Sequence, residues 1–138
     1  MPFLSRPTQF GPFVFSLWAL LSGCQVDPTA TLDSVVGPVW VVQTLDDATF
    51  PAVATLQLSQ DGKVAGKAPC NRYFGAVKFS GSDIAIGPLA STRMACEALD
   101  DETRYLLALA DMTQVKLSRG QLILRGPSGR ELTFKKQN

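Results

Sequence analysis

Apolar and polar positions alternate with a period of two along most of the chain, the pattern of half-buried strands. Val39 to Leu45 (VWVVQTL) is β-branched and aromatic, as buried strands are. Val53 to Ser59 sets Leu56 and Leu58 on one face, Asp61-Gly62 supplies a hairpin turn, and Lys63 to Lys67 returns. Arg72 to Phe79 follows, then a turn at Ser80-Gly81-Ser82 into Asp83 to Ile86, where Ile84 and Ile86 share a face. Gln114 to Leu117, Gln121 to Leu124 and Glu131 to Phe134 alternate again, separated by Arg119-Gly120 and by Gly126-Pro127-Ser128-Gly129. One segment departs from this period. Asp100 to Met112 (DDETRYLLALADM) brings Leu99, Leu106, Leu109 and Ala110 near helical spacing. Asp100, Asp101 and Glu102 fall in its first turn, where carboxylates complement the helix dipole. The pattern predicts one α+β domain: a small antiparallel β-barrel-like roll of about eight short strands, with one helix packed against it to close an open side.

The N-terminal stretch follows neither period. Phe10 to Leu21 is twelve residues without a charge, too short to span a membrane, which takes about 20. It fits the apolar core of a secretory signal. Leu21-Ser22-Gly23-Cys24 comes next and resembles the lipobox of bacterial lipoproteins, whose cysteine sulfur takes a diacylglycerol group. The resemblance implies a signal peptide over 1–23, lipidation with palmitate-type acyl chains at Cys24, and a lipidated tether over 24–37. The folded domain is then 38–138. Gln25, where an aspartate marks inner-membrane retention, directs the anchored chain to the periplasmic face of the outer membrane. Several acyl chains hold a protein at a membrane where one alone is marginal.

Composition narrows the chemistry. The 138 residues are 46% hydrophobic and 18% charged, too apolar for long disorder. Thirteen Lys+Arg face 12 Asp+Glu, so nothing electrostatic favours nucleic acid as a partner. The chain has no histidine, which excludes a Ser-His-Asp triad, a Cys-His dyad and a His-ligated zinc site. No metal loop and no cofactor motif stands out. Asp46-Asp47 reads as a turn, and Phe74 and Met94 read as core residues. With Cys24 assigned to lipid, Cys70 and Cys96 form an even pair, read in an exported domain as a disulfide. The alternatives are two reduced buried cysteines or a reactive thiol.

The residues around these cysteines carry a family likeness. Gly66-Lys67-Ala68-Pro69-Cys70-Asn71-Arg72-Tyr73-Phe74-Gly75 resembles the G-x-x-G-C-N-x-Y-x-G motif of the META domain, the family of HslJ-like heat-shock lipoproteins. Leu89 to Cys96 (LASTRMAC) is similar to its second motif, L-x-x-T-x-M-A-C, and Tyr105 to Leu109 matches its Y-L-x-x-L. Trp40 with Leu45 fits the opening W-x-x-x-x-L. Pro69, Val77 and Glu97 depart from the usual glycine, tyrosine and proline, which bears on loop shape. The resemblance implies a compact β-rich domain of the cell envelope with no catalytic residues.

Beside the cysteines, Asn71, Arg72, Tyr73, Thr92 and Arg93 form a candidate recognition surface, the arginines open to anionic groups. The competing reading is structural: Asn71 caps a bend, Thr92 bonds backbone, and the arginines pair with carboxylates. Together these features predict a non-enzymatic, monomeric envelope lipoprotein, a binding or structural module in envelope homeostasis or stress tolerance. The membrane is its partner through Cys24, alongside an envelope protein. An alternative is a lipid-anchored inhibitor or chaperone-like partner acting through the loop Gly87 to Ser91. Eight strands also leave just enough barrel interior for an apolar ligand.

Overall fold

The computed structural model describes residues 32–138. The expected signal segment, the expected lipidation residue Cys24 and the expected tether through residue 31 lie outside the described residues. The strands are β1 (Val39–Leu45), β2 (Ala48–Thr49), β3 (Thr55–Leu58), β4 (Lys63–Lys67), β5 (Arg72–Ser80), β6 (Asp83–Ile86), β7 (Ala90–Ser91), β8 (Gln114–Ser118), β9 (Gln121–Arg125) and β10 (Glu131–Lys136). Two helices accompany them, α1 (Leu32–Val35) and α2 (Leu99–Ala110). The eight longer strands coincide with the predicted runs, while β2 and β7, each two residues long, are too short to show a period.

Every pairing is antiparallel, in the order β10-β9-β8-β6-β5-β4-β3-β1, and β10 also pairs with β1. That last pairing closes an eight-stranded barrel, so no open side is left for the helix to cover. β1 serves both neighbours by dividing its length. Val39 to Val41 pair with β3, and Trp40 to Leu45 pair with β10 across a bulge between Val42 and Thr44. Asp46 and Asp47 make the turn into β2 with φ of 51° and 63°, the positive values a two-residue hairpin turn requires. The Asp46 carboxylate accepts from the Glu131 amide at 3.0 Å and from Arg130 at 3.0 Å. These contacts, the Glu131 amide first, hold its carboxyl below the usual carboxylate range.

Inward positions fill the barrel. Leu56, Leu58, Leu122, Leu124, Leu132 and Phe134 are all fully buried, so side chains occupy the space an apolar ligand was expected to use. Such interior filling is normal for eight strands. Val35 and Val36, within the stretch assigned from sequence to the tether, pack in this core. Val35 is buried, and its carbonyl accepts from the Trp40 indole at 2.9 Å.

Helix α2 buries Glu102, Tyr105, Ala108 and Leu109. This face is rotated from the predicted one. Leu99 and Ala110 are exposed and Leu106 is half-buried, because the aromatic ring of Tyr105 seeks the barrel end where β3 and β5 begin. Its ring centroid lies 5.8 Å from those of Tyr73 and Phe50.

Candidate functional site

The two cysteine segments meet at that barrel end. Cys70 and Cys96 are joined in a disulfide with a Cα–Cα distance of 5.8 Å, tying the entry to β5 to the entry to α2. The thiols are therefore neither free packing residues nor nucleophiles.

Asn71 is buried, and every polar atom of its side chain is used. Its Oδ1 accepts from the Met94 amide at 2.6 Å and the Thr92 hydroxyl at 3.0 Å. Its Nδ2 donates to the Met94 carbonyl at 3.1 Å and to Glu102 Oε1 at 2.7 Å. Glu102 Oε2 in turn accepts from the Cys70 and Asn71 amides, both at 2.8 Å. A carboxylate from the first turn of α2 thus satisfies the bend that carries the first motif. The acidic character of this helix start was legible, but the inward turn of Glu102 onto the Cys70 and Asn71 amides was not.

Tyr73 is also buried. Its hydroxyl donates to the Thr55 carbonyl at 2.7 Å, and the Tyr105 hydroxyl stands 2.9 Å from it and 3.3 Å from the same carbonyl. Burial pushes both phenols well above the usual tyrosine range. Glycine is required beside this cluster, because a Cβ on Gly66 would lie 2.0 Å from the Thr55 carbonyl oxygen and 2.7 Å from the Tyr73 hydroxyl. At Gly75 a Cβ would meet Pro88 and Leu89, both at 2.9 Å. Gly87 is held to the Ala76 carbonyl of β5 at 2.9 Å, and the loop Gly87 to Ser91 ends as β7 paired with β5.

Of the five recognition residues, Asn71 and Tyr73 are thus internal supports. Thr92 is exposed but braces the bend, accepting from the Arg72 amide at 3.2 Å. Arg72 and Arg93 are exposed, and neither forms an ion pair among the described residues. Arg72 stands directly opposite Lys67 across β4 and β5, an arrangement that costs stability because like charges face each other. The two border a shallow hollow of about 360 Å³ with Cys70, Asn71, Thr92 and Met94. Arg93 lines a second hollow of about 290 Å³, together with Leu99 and Glu102 of α2.

Phe74 and Met94 correct the expectation of core residues. They are 60% and 67% exposed. The signal for Phe74 was present, since alternation along β5 groups it with Arg72 and Lys78 and opposes it to Tyr73 and Val77. Among the described residues no three acidic or cysteine side chains converge as a metal site needs, and no buried side-chain polar atom lacks a hydrogen-bond partner. What this site offers chemically is a stiffened surface carrying cations and exposed apolar side chains.

Comparison with known proteins agrees with this geometry. The family model for the META domain matches residues 33–138. No curated protein matches the chain. Among solved structures, the chain is similar to a protein from Burkholderia xenovorans determined by NMR, with 24% identity and a TM-score of 0.64 over 100% of this chain and 99% of that one. It is also similar to a duf4847 family protein from Bacteroides vulgatus, with 11% identity and a TM-score of 0.63 over 77% of this chain and 98% of that one. At these identities the likeness is one of fold. The family match runs through both cysteine segments, the helix and the closed barrel, and the chain belongs to the META domain family.

Proposed function

We propose that this protein is a lipid-anchored binding module of the bacterial envelope, without enzymatic activity, serving envelope homeostasis. The observation that carries this reading is the surface over the disulfide. Phe74 and Met94 stand largely in solvent beside Lys67, Arg72 and Arg93, cations with no carboxylate partner among the described residues. Exposed apolar groups and uncompensated charge both disfavour the isolated domain, and both are relieved by a bound partner. Asn71, Thr92 and Glu102 are engaged in the hydrogen bonds that hold the bend. The META domain family is not a known enzyme family, which supports the same reading. The sequence Leu21-Ser22-Gly23-Cys24 supports the anchor, and among the described residues no helix is long and apolar enough to cross a membrane.

Two measurements test it. Palmitate labelling should give a lipid-modified protein that vanishes in Cys24→Ala, and an unlabelled wild-type chain would remove the anchor. A photo-crosslinking residue at Phe74 should give a discrete adduct in the envelope, while one at exposed Gln121 should not. Equal, diffuse labelling at both positions would remove the binding face.

A further inference from the structure

Strand β7 leaves one edge of the sheet open. It pairs only with β5 among the described residues, through Tyr73↔Ser91 and Phe74↔Ala90. The Thr92 amide donates back to the Arg72 carbonyl at 3.0 Å. In an antiparallel ladder such pairs alternate, so the amide and carbonyl of Ser91 face away from β5. They face a groove. A hollow of about 330 Å³ lies between this edge and α2, walled by Leu89, Leu106, Leu107 and Ala110. It meets the 290 Å³ hollow bordered by Arg93, Met94 and Leu99, and the two share Ser91 and Glu102.

Of the four residues whose spacing marked the helix, Leu109 is buried, while Leu99, Leu106 and Ala110 line this groove and the hollow it meets. Leu99, Leu106 and Ala110 recur at helical spacing, yet the buried face of α2 is Glu102, Tyr105 and Leu109. Three of the five large apolar side chains exposed on the described surface, Met94, Leu99 and Leu107, stand along this one groove, at 67%, 42% and 65% exposure. The strand itself is held still, because Pro88 and Leu89 rest against Gly75 where no side chain intervenes.

We propose that the groove between β7 and α2 binds an extended peptide segment that adds to the β7 edge as a further strand. An outward amide and carbonyl demand an extended backbone, which a helix or a lipid chain does not supply. The apolar walls accept alternate side chains of that strand. Arg93 at one end selects a carboxylate on the segment. From Leu99 to Ala110 the helix runs about 16 Å, the span of about five extended residues. The inference rests on the binding-module reading and gives it a partner class, an extended peptide with alternating apolar residues and an acidic end.

The test is a display library of random short peptides panned on the full-length purified protein. Enriched peptides should alternate apolar residues and carry an acidic end. Their affinity should fall about tenfold or more in Ser91→Pro, which removes the outward donor, and in Leu107→Asp, which adds charge to the wall. Leu107 is solvent-facing, so this second variant keeps the fold, with near-ultraviolet circular dichroism of buried Trp40 as the check. Methylating alternate backbone nitrogens of the peptide should abolish binding in one register and spare it in the other. The proposal is overturned by no enrichment, by binding indifferent to methylation, or by dimerisation of the protein that Leu107→Asp abolishes. Peptides sensitive to Arg72→Ala and Phe74→Ala but not to Leu107→Asp would overturn the groove while leaving the binding module standing.

Discussion

Asn71 and Glu102 show how much of a motif can be structural. The Asn71 amide cannot rotate without losing its contacts to both the amide and the carbonyl of Met94. Its Nδ2 is therefore fixed toward Glu102. In Glu102→Gln, one oxygen can still accept from the Cys70 and Asn71 amides, but the new NH₂ must face the Nδ2 donor. Leaving a buried donor unsatisfied costs about 1–3 kcal/mol. Chemical denaturation should record a loss in that range, and Glu102→Ala should lose more, because two buried backbone amides then lack an acceptor. Stability unchanged in Glu102→Gln would show that the carboxylate is not the anchor of the bend. At this scale the sequence was partly legible. Glu102 shares a helical face with Tyr105 and Leu109, but only the position of the bend explains why a carboxylate is welcome there.

At the scale of elements, the disulfide and the hydrogen-bond network join the same two pieces, the entry to β5 and the entry to α2. The bridge spans a sequence separation of 26, worth roughly 3.5 kcal/mol in the chain-entropy account. Reduction, or Cys70→Ser with Cys96→Ser, should lower the melting temperature by about 10 °C or more. The fold should persist at room temperature, because Asn71 and Glu102 still connect both elements and the barrel closes without the bridge. Loss of the near-ultraviolet dichroism on reduction at room temperature would contradict this. The helix itself was predicted within two residues at each end, yet its buried face was not. Spacing alone offers two apolar stripes, and the choice between them belongs to the ring that reaches the barrel.

For the whole molecule, closure of the barrel places the only two tyrosines of the chain in one buried pair. Burial raises both pKa values above that of an unfolded tyrosine. Below about pH 10 both states are neutral and the full stability is present. As pH rises further the unfolded chain ionises first, so stability falls by about 1.4 kcal/mol per pH unit for each phenol. Tyr105→Phe should flatten this decline by one phenol's share, while Tyr73 keeps its bond to Thr55. Ultraviolet tyrosinate absorbance should rise together with unfolding. Phenolate appearing near pH 10 in a folded protein would refute the buried pair.

The sequence alone determined what depends on neighbours along the chain. Eight strands follow from alternation, their turns from glycine and aspartate pairs, α2 from its period and acidic start, and the META likeness from two ordered motifs. Tertiary structure decided what depends on residues far apart. Closure needs Trp40 to find Lys136, and a period-two pattern carries no record of which strand lies next to which. Phe74, Met94, Leu99 and Leu107 are apolar whether a core or solvent awaits them, so composition cannot assign their side. The groove beside β7 exists only because a two-residue strand, too short for any pattern, is set against a helix whose second apolar face the barrel does not use.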